Sequence, residues 1–131
     1  MKNLFILVGL GIVLSSFYKE NTLKGTWEFR GGIYKGKPEA APKDYLLQRN
    51  YTDQQYDAYV IEPGQKAQRY ESGKYRLKGD TCYETQTYSA QPSKIKNVTV
   101  HYVYTISHDT LYLAAKLPGG TFEVDYWKKV K

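Results

Sequence analysis

The sequence predicts an all-β fold, and three observations carry the prediction. Apolar and aromatic residues alternate with polar ones in one short run after another, the pattern of strands with one buried and one wetter face. Glycine, proline, asparagine and aspartate cluster between those runs at regular intervals, as the turns of a sandwich or barrel do. Fourteen of the 131 residues are tyrosine, a strand-favouring side chain with a flat apolar face and a polar tip. No stretch keeps a helical period beyond a turn or two, and no internal repeat is evident.

The elements follow in order. Lys24 to Tyr34 opens the series, with Trp27 and Phe29 alternating against Thr26, Glu28 and Arg30. Gly31-Gly32 inside it predicts a bulge or sharp bend. Lys35 to Lys43, with Pro38 and Pro42, reads as a loop. Tyr45 to Asn50 is a weaker strand, with a helical turn as the alternative. A turn over Tyr51 to Gln55 leads to a strand at Tyr56 to Ile61, with Tyr56, Ala58 and Val60 on one side. Glu62-Pro63-Gly64-Gln65 is a turn before the strand Gln68 to Lys78. Gly79-Asp80 is a tight hairpin connection into Thr81 to Tyr88. After a loop with Pro92, Asn97 to Ser107 is the clearest strand, with Val98, Val100, Tyr102, Tyr104 and Ile106 on one face. His108-Asp109 turns into Thr110 to Leu117, and Pro118-Gly119-Gly120 turns into Thr121 to Lys129. That makes about eight strands.

The chain length suits one domain. Residues 1–16 read as a secretory signal peptide: Met1-Lys2-Asn3 with one positive charge, then an apolar run from Leu4 to Leu14, then Ser15-Ser16. An uncleaved anchor is the alternative, because the site lacks an Ala-x-Ala pattern. The apolar run is too short for an ordinary membrane span, so no stable span is expected once the signal is removed. Residues 17–23 read as a linker and 24–131 as the β domain. The expected location is outside the cytoplasm, in the periplasm, the cell envelope or the medium. Cys82 is the single cysteine, so no internal disulfide is available, and it reads as a small residue on a strand. The net charge of +6 is dispersed, and no basic helix or zinc motif accompanies it, which argues against a nucleic-acid partner.

Four segments together resemble a known group. They are Leu23-Lys24-Gly25-Thr26-Trp27-Glu28, the stretch Glu71 to Asp80, His108-Asp109-Thr110-Leu111-Tyr112-Leu113, and Phe122 to Val130. In this order they resemble the small lipocalin-like (calycin-type) domains of secreted and envelope proteins in gut-type bacteria. The resemblance implies a single eight-stranded antiparallel up-and-down barrel. It also implies that Gly25 and Trp27 close one end and that a basic residue near the last strand, Lys128 or Lys129, lies on the indole ring. The family form of that residue is more often arginine, and the usual lipocalin disulfide and the lipoprotein cysteine are both missing.

The chemistry of catalysis is not legible. His101 and His108 match no metal-ligand spacing, no nucleophile elbow is present, and no glycine-rich phosphate loop occurs, so no metal, cofactor or catalytic residue is expected. Glu28, Glu84, Glu123 and Asp125 read as solvated charges of the barrel wall. Strand periodicity aims Phe29, Tyr75, Tyr102, Tyr104, Leu111 and Leu113 at the interior, as candidates to line a site for a small hydrophobic ligand. The last strand is ambiguous, because Phe122, Val124 and Tyr126 compete with Trp127 for the interior. A non-enzymatic module that contacts a protein or glycan partner through exposed aromatics is the second expectation.

Overall fold

The structure is a computed structural model and describes residues 22–131. The expected signal peptide and most of the expected linker lie outside the described residues. The strands are β1 (Gly25–Tyr34), β2 (Lys37–Ala40), β3 (Leu46–Tyr51), β4 (Gln55–Ile61), β5 (Gln68–Lys78), β6 (Thr81–Ser89), β7 (Thr99–Ser107), β8 (Thr110–Lys116) and β9 (Phe122–Lys129). All neighbours are antiparallel, from β3 to β9 in sequence order, and β9 returns to pair with β1. This closes an eight-stranded up-and-down barrel and leaves no free edge in the circuit.

β2 is the strand outside that circuit. It lies in the stretch that the two prolines make look like a loop. Lys35 and Gly36 have φ of 53° and 76°, the positive pair that a two-residue hairpin turn favours. β2 therefore folds straight back and pairs with Gly31 to Tyr34. β3 pairs only with Gly25 to Glu28, so β2 occupies the part of that edge that β3 leaves. Its four residues are exposed, and an exposed edge strand is where a proline such as Pro38 is tolerated.

The weaker strand expected over Tyr45 to Asn50 is present as β3, and the alternative helical turn is not adopted. One other detail differs from the sequence reading. The clearest strand begins at Thr99, two residues late, because Asn97 turns the chain at a φ of 63° and leaves Val98 exposed. The bulge in β1 falls where the register slips between Phe29 and Gly31, just before the expected glycine pair.

The barrel interior is one cluster of buried side chains, which includes Leu111 at 0% and Leu113 at 1% exposure. Burial of each such leucine contributes about 1.5–3 kcal/mol. One end is sealed. Leu23 sits under the barrel at 1% exposure, and its carbonyl accepts the indole N–H of Trp27 at 2.8 Å. Its own N–H donates to the Tyr75 hydroxyl at 3.0 Å, and that hydroxyl donates to the Thr52 carbonyl at 2.6 Å. Gly25 explains the Gly-x-Trp pattern. Its φ is 137°, and a Cβ there would lie 2.8 Å from the Lys131 carbonyl oxygen, so a side chain would push the last strand off the floor.

Candidate functional site

Above the floor the interior changes character. β3 alternates Leu47, Arg49 and Tyr51 on one face, and the closed barrel turns that face inward, so Arg49 is only 8% exposed. Its guanidinium reaches across to β6 and meets the Glu84 carboxylate at 2.9 Å. It also donates to the Tyr51 hydroxyl at 2.7 Å and lies 3.6 Å from the Glu71 carboxylate of β5. Three rings enclose it: Tyr56 at 4.6 Å, Trp127 at 5.2 Å and Tyr51 at 5.9 Å from guanidinium carbon to ring centroid. Tyr56 fits because Gly73 stands opposite it on β5; a Cβ there would lie 2.5 Å from the ring and 2.3 Å from the Thr85 carbonyl oxygen. The Tyr56 hydroxyl donates to Glu71 at 2.6 Å.

Buried ions are costly unless paired, and here the pairing is nearly complete. Burial opposes the Arg49 charge, but Glu84 and the other surrounding groups outweigh it, so the guanidinium is held well above its ordinary value and stays charged. Burial raises Glu84, with Arg49 working against the shift. Burial also raises the Tyr51 and Tyr102 phenols and the Cys82 thiol, so none of these acts as an anion.

Two donors remain. Among the described residues, Nε of Arg49 and Nε1 of Trp127 are buried side-chain nitrogens with no hydrogen-bond partner. They belong to side chains in mutual contact. An orphaned buried donor costs about 1–3 kcal/mol, so a pair of them in one layer calls for an acceptor.

β9 supplies more charge toward the other end. Glu123, Asp125 and Trp127 share one face, and Asp125 and Glu123 stand opposite the buried Leu113 and Ala115 of β8. Both carboxyls are half-buried, and they share a hydrogen bond. Asp125 is pushed up to about 7, first by burial and then by the negative field of Glu123. Burial also raises Glu123. Glu71, Glu84, Glu123 and Asp125 thus gather around one guanidinium.

No protein-family model matches the chain, and no curated protein matches it.

The expected ligand-lining residues are distributed unevenly. Tyr75 is a strut of the floor, with its hydroxyl committed to Leu23, Thr22 and Thr52. Tyr102, Tyr104, Leu111 and Leu113 are all buried in the core. Phe29 is half-buried and packs edge-on against Trp127 at 5.2 Å. At the closed end, Lys129 carries the cation over Trp27, at 5.7 Å, whereas Lys128 is exposed on the other face of β9. The ambiguity of β9 resolves in favour of Trp127, and Phe122 is 55% exposed.

The carboxylates need correction. Only Glu28 sits on the outer wall, bridged to Arg30 at 3.0 Å. Glu84 is 4% exposed in the interior, and Glu123 and Asp125 face inward beside Trp127. The alternation reading missed Arg49, Glu71 and Tyr56 as site residues. The signal for Arg49 was present: Leu47 and Tyr51 share its parity on a strand, and two apolar neighbours at spacing 2 predict an inward arginine.

Proposed function

We infer that this protein is a non-enzymatic, lipocalin-like binding protein of the bacterial secreted or envelope type, which carries a small molecule in its barrel. The observation that supports this reading is the pair of buried donors, Arg49 Nε and Trp127 Nε1, in contact in one interior layer. The ligand that suits them has an apolar or aromatic body and at least one hydrogen-bond acceptor. The acceptor takes the two N–H groups, while Tyr102, Leu113 and Phe29 cover the body. Entry is from the end opposite Leu23, where Glu71, Glu123 and Asp125 are only half-buried. Binding rests on apolar area removed from water, about 25 cal/mol per Å², with the donors fixing orientation.

The test is native mass spectrometry of protein purified gently from its host, wild type beside Trp127→Phe. The phenylalanine keeps a ring and removes the N–H. A reproducible added mass in the wild type that falls at least several-fold in the variant is the expected result. A clean polypeptide mass in repeated wild-type preparations contradicts the reading.

A further inference from the structure

The outer wall of β5, β6 and β7 carries a second arrangement that the barrel interior does not explain. Four arginines occur in the chain, and three are paired with carboxylates: Arg30 with Glu28, Arg49 with Glu84 and Glu71, and Arg69 with Asp57. Arg76 has no carboxylate partner among the described residues. It is held from one side only, with its guanidinium 4.2 Å from the centroid of the Tyr83 ring. Tyr83 is steadied in turn by His101, edge-on at 4.7 Å. These three residues stand in register across the three strands. Stacking uses the face of the guanidinium and leaves its N–H fork in the plane available.

Arg76 borders a cleft of about 570 Å³, within the range of small-molecule sites. Lys74 lies on the same side of β5, two residues away, and also lacks a carboxylate partner among the described residues. Across from it are the Thr85 and Thr99 hydroxyls, bonded to each other at 2.7 Å. Gln54, in the turn between β3 and β4, and Gln55, the first residue of β4, also line the cleft and bring carboxamides to it. Among the described residues, the lining holds two cations and no carboxylate. A planar guanidinium fork matches the two oxygens of a carboxylate or sulfate, and an ammonium adds a second point charge. Hydroxyls and carboxamides, each both donor and acceptor, match ring hydroxyls.

We propose that this wall cleft binds an acidic saccharide, with Arg76 on its oxyanion, Lys74 as the second cation, and Thr85, Thr99, Gln54 and Gln55 on its hydroxyls. The site is separate from the barrel interior and does not depend on the interior holding a ligand.

Isothermal titration calorimetry on the protein as its host makes it tests this, with trigalacturonate, maltotriose and inorganic sulfate as probes. Saturable binding of trigalacturonate is expected, at least ten-fold tighter than maltotriose or sulfate. Arg76→Gln should weaken it at least ten-fold, Arg76→Lys by less, and Lys74→Gln several-fold. Lys128→Gln, on the exposed face of β9, should leave it unchanged. Arg76 and Lys74 are exposed, and thermal melts verify that each variant is folded. Equal affinity of Arg76→Gln and wild type overturns the assignment. So does an equal loss in Lys128→Gln, which would make the effect one of net charge. Maltotriose binding as tightly as trigalacturonate removes the oxyanion, and sulfate binding as tightly removes the sugar; either result overturns the proposal.

Discussion

At the floor of the barrel, the indole of Trp27 gives its N–H to the Leu23 carbonyl; higher up, the indole of Trp127 gives its N–H to no described residue. The contrast extends to the neighbours. Around Trp27 the polar tips are tied to backbone: Tyr75 alone links Leu23 and Thr52. Around Trp127 the polar groups are charged, and they are tied to one another through side chains. Backbone-satisfied aromatics make a rigid, cooperative floor at little electrostatic cost. A buried ion cluster is expensive to build and is a poor way to gain stability.

The largest break in this contrast comes from Arg49. Arg49→Met leaves the buried Glu84 and the half-buried Glu71 without their shared cation, and the expected loss is about 3–5 kcal/mol in urea unfolding. The double variant Arg49→Met, Glu84→Gln should recover much of it, because the deepest stranded charge is gone. If the single variant is as stable as wild type, the cluster is not the buried network described here. Tyr75→Phe breaks the floor instead. It orphans the Leu23 N–H and leaves the Thr52 carbonyl with only the long bond from the Thr22 hydroxyl at 3.5 Å, and about 1–3 kcal/mol should be lost. Any mass carried by the wild type should be kept, since the floor holds no part of the site.

The smallest effect is a pH effect, and its sign is fixed by Asp125. Its folded value of about 7 lies above the ordinary 3.8, so the folded protein holds a proton that the unfolded chain releases in acid. This contribution to stability is fully present below pH 3.8 and is lost as pH rises through about 7. Asp125→Asn should therefore melt a few degrees above wild type at pH 8 and close to it at pH 3.5. Glu84 and Glu123 are raised too, so the slope should shrink without vanishing. A variant that melts below wild type at pH 8 reverses the sign and contradicts the burial of this carboxyl.

The two regions differ in how readily the sequence shows them. The floor is legible because Gly25 and Trp27 form a local pattern, and the apolar core because Leu111 and Leu113 alternate cleanly within a short strand. The charged layer is not legible, for two physical reasons. Its members come from four strands, so no window of sequence contains the pairing of Arg49 with Glu84 and Glu71. A carboxylate on a strand also looks solvated by composition, and only barrel closure shows that Glu84 points inward. β2 was hidden by Pro38 and Pro42, which mark a loop unless the hairpin turn before them is weighed first.

The most direct test is to watch the two indole N–H groups together. Protein labelled with ¹⁵N-tryptophan is purified from its host, and its spectrum is compared with that of the same protein after denaturing extraction and refolding. The account predicts that the Trp127 indole resonance moves between the two preparations, because it loses its acceptor, while the Trp27 resonance stays in place on Leu23. Identical Trp127 resonances in the two preparations would contradict a ligand held in the charged half of the barrel.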